Sequence, residues 1–198
     1  MLHPEAPCQP VAVLRLVAFA ALIVIGSLAV APIAAEPPNQ AKPADDAAAV
    51  RDIRATLDAL YEAFSFDAGG APDWEGLRKL FLPGASFVDP VKPGTPPRAV
   101  GAEEFLAKFR TWVETTEKAK AGFRERIVAV RLDHFGHVAH AYVTFEGYVP
   151  GAAAAETRGL DSIQLLLDGG FWKVASFTTQ YESPELPMPA RFAAGPAQ

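Results

Sequence analysis

Apolar side chains recur every three or four residues in three segments of the chain, and this spacing predicts three helices that each bury one face. The first helix is capped by Asp45 or Asp46 and carries its apolar positions from Val50 to Phe64. A short second helix is capped by Asp73, and the third runs from Ala102 to about Glu117.

The spacing of apolar side chains changes to two in the last third of the chain, which is typical of strands. A brief strand from Ala85 to Asp89 precedes the third helix, and four longer strands are predicted at 123–133, 138–149, 157–167 and 171–182. Helices followed by an antiparallel meander predict an α+β fold. A strongly curved sheet wrapped over the first helix would form a cone with an open end, suited to a small ligand.

The composition restricts the class of protein. The chain has 198 residues, half of them apolar, with thirteen Phe and three Trp to build a core, so a disordered acidic chain is excluded. The net charge of −5 argues against a nucleic-acid partner, because no net positive field faces the phosphates. A single cysteine, Cys8, excludes an intrachain disulfide and a thiolate metal cluster.

Residues 1–35 resemble a secretory signal, since Arg15 precedes an apolar run with a small-residue exit at Ala35. Cleavage there would give an exported protein, periplasmic or secreted. The alternative is an uncleaved membrane anchor over residues 16–35, because this mainly apolar stretch of 20 residues reaches the minimum length for a bilayer span.

The remaining chain is predicted to divide into a linker, one domain and a tail. Residues 36–44 form a proline-broken linker, residues 45–182 the domain, and residues 183–198 a loose tail rich in proline and alanine.

The order of elements resembles the nuclear-transport-factor-2-like superfamily of cone-shaped domains, also called SnoaL-like. The resemblance covers roughly residues 46–182 and rests on four segments: Leu60-Tyr61-Glu62-Ala63-Phe64, Leu80-Phe81-Leu82-Pro83-Gly84-Ala85, Gly101-Ala102-Glu103-Glu104-Phe105 and Leu167-Asp168-Gly169-Gly170-Phe171-Trp172-Lys173-Val174. It implies three helices on a curved antiparallel sheet, a small apolar ligand and a homodimer. No glycine-rich phosphate loop is present, and we expect no cofactor.

The nearest motif match within this superfamily is to ketosteroid isomerases. Those enzymes carry a tyrosine on the first helix, an aspartate in a Val-x-Asp-Pro-Val-like segment and a second aspartate in a late strand. The corresponding residues here are Tyr61, Asp89 and Asp161. The resemblance implies that Asp89 is a general base, and that Tyr61 and a protonated Asp161 donate hydrogen bonds to a developing enolate oxygen.

Each of these residues also has a structural interpretation. Asp89 precedes Pro90 and could start a turn, and Tyr61 lies at the edge of the apolar stripe, where a core tyrosine would serve equally well. Asp161 alternates with apolar residues and so faces the core side, where its carboxyl needs a partner or a raised pKa. A structural hydrogen bond to the sheet and an oxyanion role both fit that position.

Further residues are candidates for the pocket wall. Phe87 and Trp112 are aromatic, and the alternation of the last strand puts Thr178 and Gln180 on the face of Trp172 and Val174. Aromatic residues on the third helix, Trp112 included, also fit a purely structural core role.

Two classes of function remain open on the sequence alone. The first is proton transfer beside a carbonyl, and the second is a non-catalytic module for ligand binding or dimerisation. A metal site at His134, His137 and His140 is rejected, because the first two point to opposite faces of a strand and flank a turn.

Overall fold

The computed structural model describes residues 43–193, with side chains from residue 46 onwards. The predicted signal or anchor segment, Cys8, nearly all of the linker and the last five residues lie outside the described residues. Within the described range, no helix combines the length and the apolar character needed to cross a bilayer.

Five helices are present in the described range, three of which carry the core. Their bounds are α1 Pro43–Phe64, α2 Trp74–Leu80, α3 Ala102–Thr115, α4 Lys118–Ala121 and α5 Ala190–Ala193.

Six strands form one curved sheet with the order β2-β1-β6-β5-β4-β3. Their bounds are β1 Phe81–Val88, β2 Ala99–Gly101, β3 Arg124–Phe135, β4 Val138–Tyr148, β5 Thr157–Asp168 and β6 Phe171–Tyr181. Strands β3 to β6 pair antiparallel in chain order, which confirms the predicted meander. β1 pairs parallel to β6 and antiparallel to the short β2.

The periodicity that predicts α1 and α2 matches their burial. Ile53, Leu57 and Leu60 are completely buried on one face of α1, while the intervening polar residues face solvent. α2 begins as predicted, because the side chain of Asp73 accepts a hydrogen bond from the backbone N–H of Gly76 at 2.9 Å and so satisfies an otherwise unpaired donor.

One face of the sheet packs on the helices and forms the main core. β4 turns its alanines and Val143 to this inner face, whereas Tyr142 and Thr144 point to the outer face. This decides which side of β4 borders the interior, a question that alternation alone leaves open. A cluster of phenylalanines from α1, β1, α3 and β6 fills the space between helix and sheet, with Phe87 completely buried at its centre.

Three predicted boundaries are corrected. α1 begins at Pro43, before the predicted caps Asp45 and Asp46, and β1 begins at Phe81 and not at Ala85. The third helix stops at Thr115 and not near Glu117, and is followed by the separate turn of α4. The described part of the tail is not loose, because α5 lies on the outer face of the sheet. There Thr144 Oγ1 donates a hydrogen bond to the carbonyl oxygen of Phe192 at 2.6 Å, and the Phe192 ring lies 5.2 Å from that of Tyr142.

We predict that Phe87→Ala destabilises the fold by about 3–5 kcal/mol, since it leaves a cavity in a close-packed core. The Phe87 ring lies 4.4 Å from that of Phe105 and 4.7 Å from that of Phe81, measured between centroids. Urea unfolding measures the change. Phe171→Ala is the matched control: this ring is 73% exposed, so its loss should cost less than about 0.5 kcal/mol. Equal effects of the two substitutions would contradict this account of the core.

Candidate functional site

A cavity of about 310 Å³ lies between α3 and the inner face of the sheet. This size falls in the range of small-molecule sites. Its walls are aromatic side chains from helices and strands: Phe64, Phe105, Phe109, Trp112, Phe123, Phe145, Phe177 and Tyr181. Few polar groups reach the interior, and carboxyls are prominent among them.

Asp161 on β5 lines this cavity and is 2% exposed. Both of its carboxyl oxygens have protein partners: Oδ2 accepts a hydrogen bond from the Tyr61 hydroxyl at 2.5 Å, and Oδ1 accepts one from Thr179 Oγ1 at 2.7 Å. Tyr61 and Asp161 are 100 positions apart in the chain, and the fold brings them into direct contact. Tyr61 is not part of the cavity wall, so its hydroxyl donates to Asp161 and does not face a ligand as the expected oxyanion donor would.

The surroundings of this cluster shift its titration. Burial raises the pKa of Asp161 to about 7, against the opposing effect of the hydrogen bonds from Tyr61 and Thr179. Burial, and after it the neighbouring Asp161 charge, raises the pKa of Tyr61 well above its ordinary value. The carboxyl therefore gains and loses a proton near neutral pH, while the phenol remains a hydrogen-bond donor.

A second carboxyl, that of Glu125, enters the cavity from the start of β3. Its position is set where the end of α1 meets β3. The backbone N–H of Glu125 donates to Ser65 Oγ at 2.9 Å, and Ser65 Oγ in turn donates to the carbonyl of Tyr61 at 2.8 Å. Gly122 makes the junction possible: it has φ of +80°, and a Cβ there would come within 2.8 Å of the backbone of Asp67 and Ala68.

Burial, followed by the nearby Asp161 charge, raises the pKa of Glu125 to about 8. Within residues 46–193 no hydrogen-bond or ion-pair partner is found for its carboxyl, although both carboxyl oxygens of Asp161 are paired. Glu125 is not among the site residues predicted from the sequence. The signal was available, because Phe123, Glu125 and Ile127 alternate along the start of a strand, which is the same argument that identifies Asp161 as inward-facing.

Asp89 lines the same cavity at its rim, where its side chain is 38% exposed. Its carboxyl forms an ion pair of 2.5 Å with Lys108 on α3. A second rim pair joins Lys118 to Glu156. The structure therefore brings Tyr61 and Asp161 into contact and places Asp89 separately, at the edge of the cavity that Asp161 also lines.

The prediction that Thr178 and Gln180 line the pocket is wrong. Their neighbours Thr179 and Tyr181 line it instead, because Gln164 pairs with Ser176 while Leu165 pairs with Val174. That irregularity inserts one extra residue into β6, and a one-residue insertion moves every later side chain to the opposite face of the sheet.

Two aromatic candidates have different outcomes. Trp112 lines the cavity as predicted and stacks on Phe109, with ring centroids 5.5 Å apart. Phe87 does not reach the cavity: it is completely buried, and its ring packs against other phenylalanines of the core. It supports the wall from behind.

The three histidines are not gathered at one point. His140 Nε2 lies 3.0 Å from Ser162 Oγ, whereas His134 Nε2 lies 3.6 Å from a carboxyl oxygen of Asp46 at the start of α1. In the part of the chain that the structure describes, no three His, Cys, Asp or Glu side chains are grouped as a metal ion requires.

The arrangement as a whole can hold a small apolar body and present two carboxyls to its polar end. Either carboxyl can donate a hydrogen bond when protonated and accept a proton when ionised, and pKa values near the operating pH suit both roles. Tyr181 adds a phenol whose pKa burial raises to about 12, so it also acts as a donor at the cavity wall.

Comparison with solved structures identifies the fold. The chain is similar to a nuclear-transport-factor-2-like protein of unknown function from Shewanella baltica, with 17% identity, a TM-score of 0.50 and coverage of 69% of this chain and 96% of that one. A cystatin-like-fold protein from Caulobacter vibrioides matches with 16% identity, a TM-score of 0.52 and coverage of 69% and 91%.

A third similar structure comes from Streptomyces avermitilis and carries the provisional name of a dehydratase of the nuclear-transport-factor-2-like family. It shares 20% identity with a TM-score of 0.54, over 72% of this chain and 99% of that one. No protein-family model and no curated protein matches the sequence. At these identities the matches establish the cone-shaped α+β fold, as the sequence resemblance implies, and do not establish an activity.

We predict that the gain in stability from Glu125→Gln is greater at about pH 9 than at about pH 5, by up to about 4 kcal/mol. The folded state holds the Glu125 proton up to a pKa of about 8, whereas the unfolded chain loses it near the ordinary value of 4.5. Ionisation therefore favours the unfolded state as pH rises between these values, and glutamine removes that penalty. Urea unfolding of both proteins at the two pH values measures the difference.

Glu114→Gln is the matched control for that measurement, because Glu114 is exposed on α3 and the substitution makes the same change in net charge. Its stability difference from the parent should be the same at both pH values. If Glu125→Gln behaves like this control, then Glu125 ionises normally in the folded protein and its carboxyl is not shielded from water.

Proposed function

We propose that this protein binds a small, largely apolar molecule inside the cone and holds the polar end of that molecule against the Asp161 carboxyl. The observation that carries the proposal is the cavity itself, which joins aromatic walls to a small number of inward polar groups. Sites of that composition bind ligands through apolar burial and use the polar groups for orientation.

The finer proposal is proton transfer beside a carbonyl, of the ketosteroid-isomerase type. Its support is that the fold brings together, across 100 positions of the chain, the two residues that the motif resemblance names as oxyanion donors, Tyr61 and Asp161. In this proposal the protonated Asp161 donates a hydrogen bond to the carbonyl oxygen, and Tyr61 and Thr179 hold the carboxyl in place. Asp89, ion-paired with Lys108 at the rim, takes the proton from carbon and returns it.

This isomerisation needs no chemical group beyond the protein and its ligand. A C–H bond beside the carbonyl breaks, its electrons form the enolate, and the proton rests on Asp89. The same proton is then returned to a different carbon, so that the double bond moves into conjugation. No oxidant or second substrate takes part.

A specific observation favours a second candidate, ligand binding without catalysis. Both oxygens of Asp161 already accept hydrogen bonds from protein groups, as in a structural carboxyl that ties a helix to a sheet. In that case the cavity keeps its aromatic lining, and the protein has affinity for a ligand but no turnover.

Export through the N-terminal segment and association as a homodimer stay predictions from the sequence and its resemblance. The alternative location, a membrane anchored by residues 16–35, also stays open.

The binding proposal predicts that a phenol with a fused aromatic body, such as naphthol, binds the protein, because a phenol mimics an enolate oxygen. Binding should shift the ultraviolet absorption of the naphthol. Asp161→Leu should weaken binding by about tenfold or more, since it removes the carboxyl that faces the phenol oxygen. Trp112→Ala should weaken the phenol and plain naphthalene alike, because it removes only the apolar wall.

Asp133→Leu is the control for that titration: the same substitution is made at an exposed residue of β3, and binding should be unchanged. Circular dichroism establishes that each variant is folded. Absence of binding by the parent protein to both the phenol and naphthalene would overturn the proposed ligand site.

The catalytic proposal predicts conversion of a β,γ-unsaturated ketone into its conjugated isomer, followed by the rise in enone absorption. Asp89→Asn should remove this turnover and leave phenol binding intact, because asparagine cannot accept the proton. Unchanged turnover in Asp89→Asn would exclude Asp89 as the base. Ligand binding without any turnover by the parent protein would support the non-catalytic alternative.

A further inference from the structure

The carboxyl of Glu125 has no role in the isomerase-like arrangement, and it sets the electrostatic character of the cavity. The rim carries two cations, Lys108 and Lys118, and each is matched by its own carboxylate, Asp89 and Glu156 respectively. Glu125 and Asp161 are then left inside without a cation among the described residues that line the cavity.

The aromatic walls add to this preference for positive charge. The faces of aromatic rings are electronegative and attract a cation placed over them, most strongly where water is excluded. The cation already present at the rim shows this contact: Lys118 Nζ lies 5.7 Å from the centroid of the Phe123 ring, which also lines the cavity. An anion would meet two carboxyls and the electron-rich rings, and is therefore disfavoured.

We propose that the ligand of this cavity carries a protonated amine, and that the amine binds to the carboxylate of Glu125 beside Asp161. The aromatic walls cover the apolar part of the ligand. This inference rests on the ligand binding proposed above and is independent of whether proton transfer occurs. An ammonium group supplies hydrogen-bond donors to a carboxyl that lacks them and neutralises a charge that is costly to bury alone.

The proposal predicts a change in the number of bound protons when the amine binds. Without ligand, Glu125 holds a proton at neutral pH because burial raises its pKa to about 8. An ammonium beside it favours the ionised form, so binding near neutral pH should release a proton to the solvent. The groups that face or surround Glu125 are Asp161 on β5, Tyr181 on β6, Tyr61 on α1, Lys118 on α4 with Glu156, and Lys108 on α3 with Asp89.

The test compares naphthylethylamine with naphthylethanol, two probes of similar size and shape that differ in charge. Isothermal titration calorimetry of the protein at about pH 6 and about pH 8.5 gives both affinities, and repeating it in buffers of different ionisation enthalpy gives the protons released. We expect the amine to bind about tenfold or more tightly than the alcohol at the higher pH. Amine affinity should fall about tenfold at the lower pH, where Glu125 and Asp161 are both protonated, and the affinity of the uncharged alcohol should change much less.

Glu125→Gln keeps the size of the side chain and removes its charge, so the two probes should then bind within about twofold of each other at both pH values. Glu114→Gln, which makes the same charge change on the exposed face of α3, should retain the full preference for the amine. The pH comparison on the parent protein needs no variant, and an amine affinity that does not change with pH would overturn the proposal even if Glu125→Gln does not fold. Because Asp161 titrates in the same range, the variant is what separates the two carboxyls.

The outcomes separate this inference from the proposed function. Equal or tighter binding of the alcohol by the parent protein overturns the amine assignment and leaves the apolar ligand site intact. If folded Glu125→Gln still prefers the amine over the alcohol, Glu125 is not the residue that binds the amine. If neither probe binds, the ligand site itself fails, and the amine assignment fails with it.

Discussion

The contact between Tyr61 and Asp161 is the interaction on which the interior of this protein depends. It joins α1 to β5 through a hydrogen bond of 2.5 Å, and Thr179 on β6 satisfies the other carboxyl oxygen. A carboxyl 2% exposed is costly to bury unless it is paired, so this cluster fixes the distance between helix and sheet at one end of the cavity. The aromatic core then fills the rest of the space. Removing one partner would leave a buried polar group without a hydrogen bond, a loss greater than that of the bond itself.

Around this cluster the fold builds a site with two kinds of carboxyl. Asp161 is fully partnered, and Glu125 is not, although both line the cavity and both have pKa values raised by burial, to about 7 and about 8. The carboxylates at the rim are instead paired with lysines. The charges at the rim therefore cancel, whereas the carboxyls of Asp161 and Glu125 inside the cavity can still ionise. This division is the physical basis for proposing ligand binding, proton transfer and an amine as the ligand.

The similar structures establish the cone-shaped fold and leave the ligand of this chain open. At the 16–20% identity of the three reported structures, the shared property is a curved sheet wrapped on a long helix. Such a scaffold accepts many chemistries because the residues that point into the cone can change without altering the core behind them. In this chain two acidic residues, Asp161 and Glu125, line a cavity whose other walls are mainly aromatic, and they restrict which ligands can bind.

Much of this fold was predictable from the sequence because it follows from local periodicity. Ile53, Leu57 and Leu60 recur at helical spacing, Asp73 caps α2, and alternation along β5 turns Asp161 inward, so helices, meander and one site residue follow without coordinates. The face of Thr178 and Gln180 did not follow, since the extra residue in β6 reverses the alternation and is specified by pairing with β5. The position of Glu125 in the cavity and its raised pKa arise only where α1, β3 and β5 meet, because burial and a neighbouring charge are properties of the assembled structure. The sequence by itself therefore determined which segments form helices and strands, and the tertiary structure decided which polar groups share the cavity.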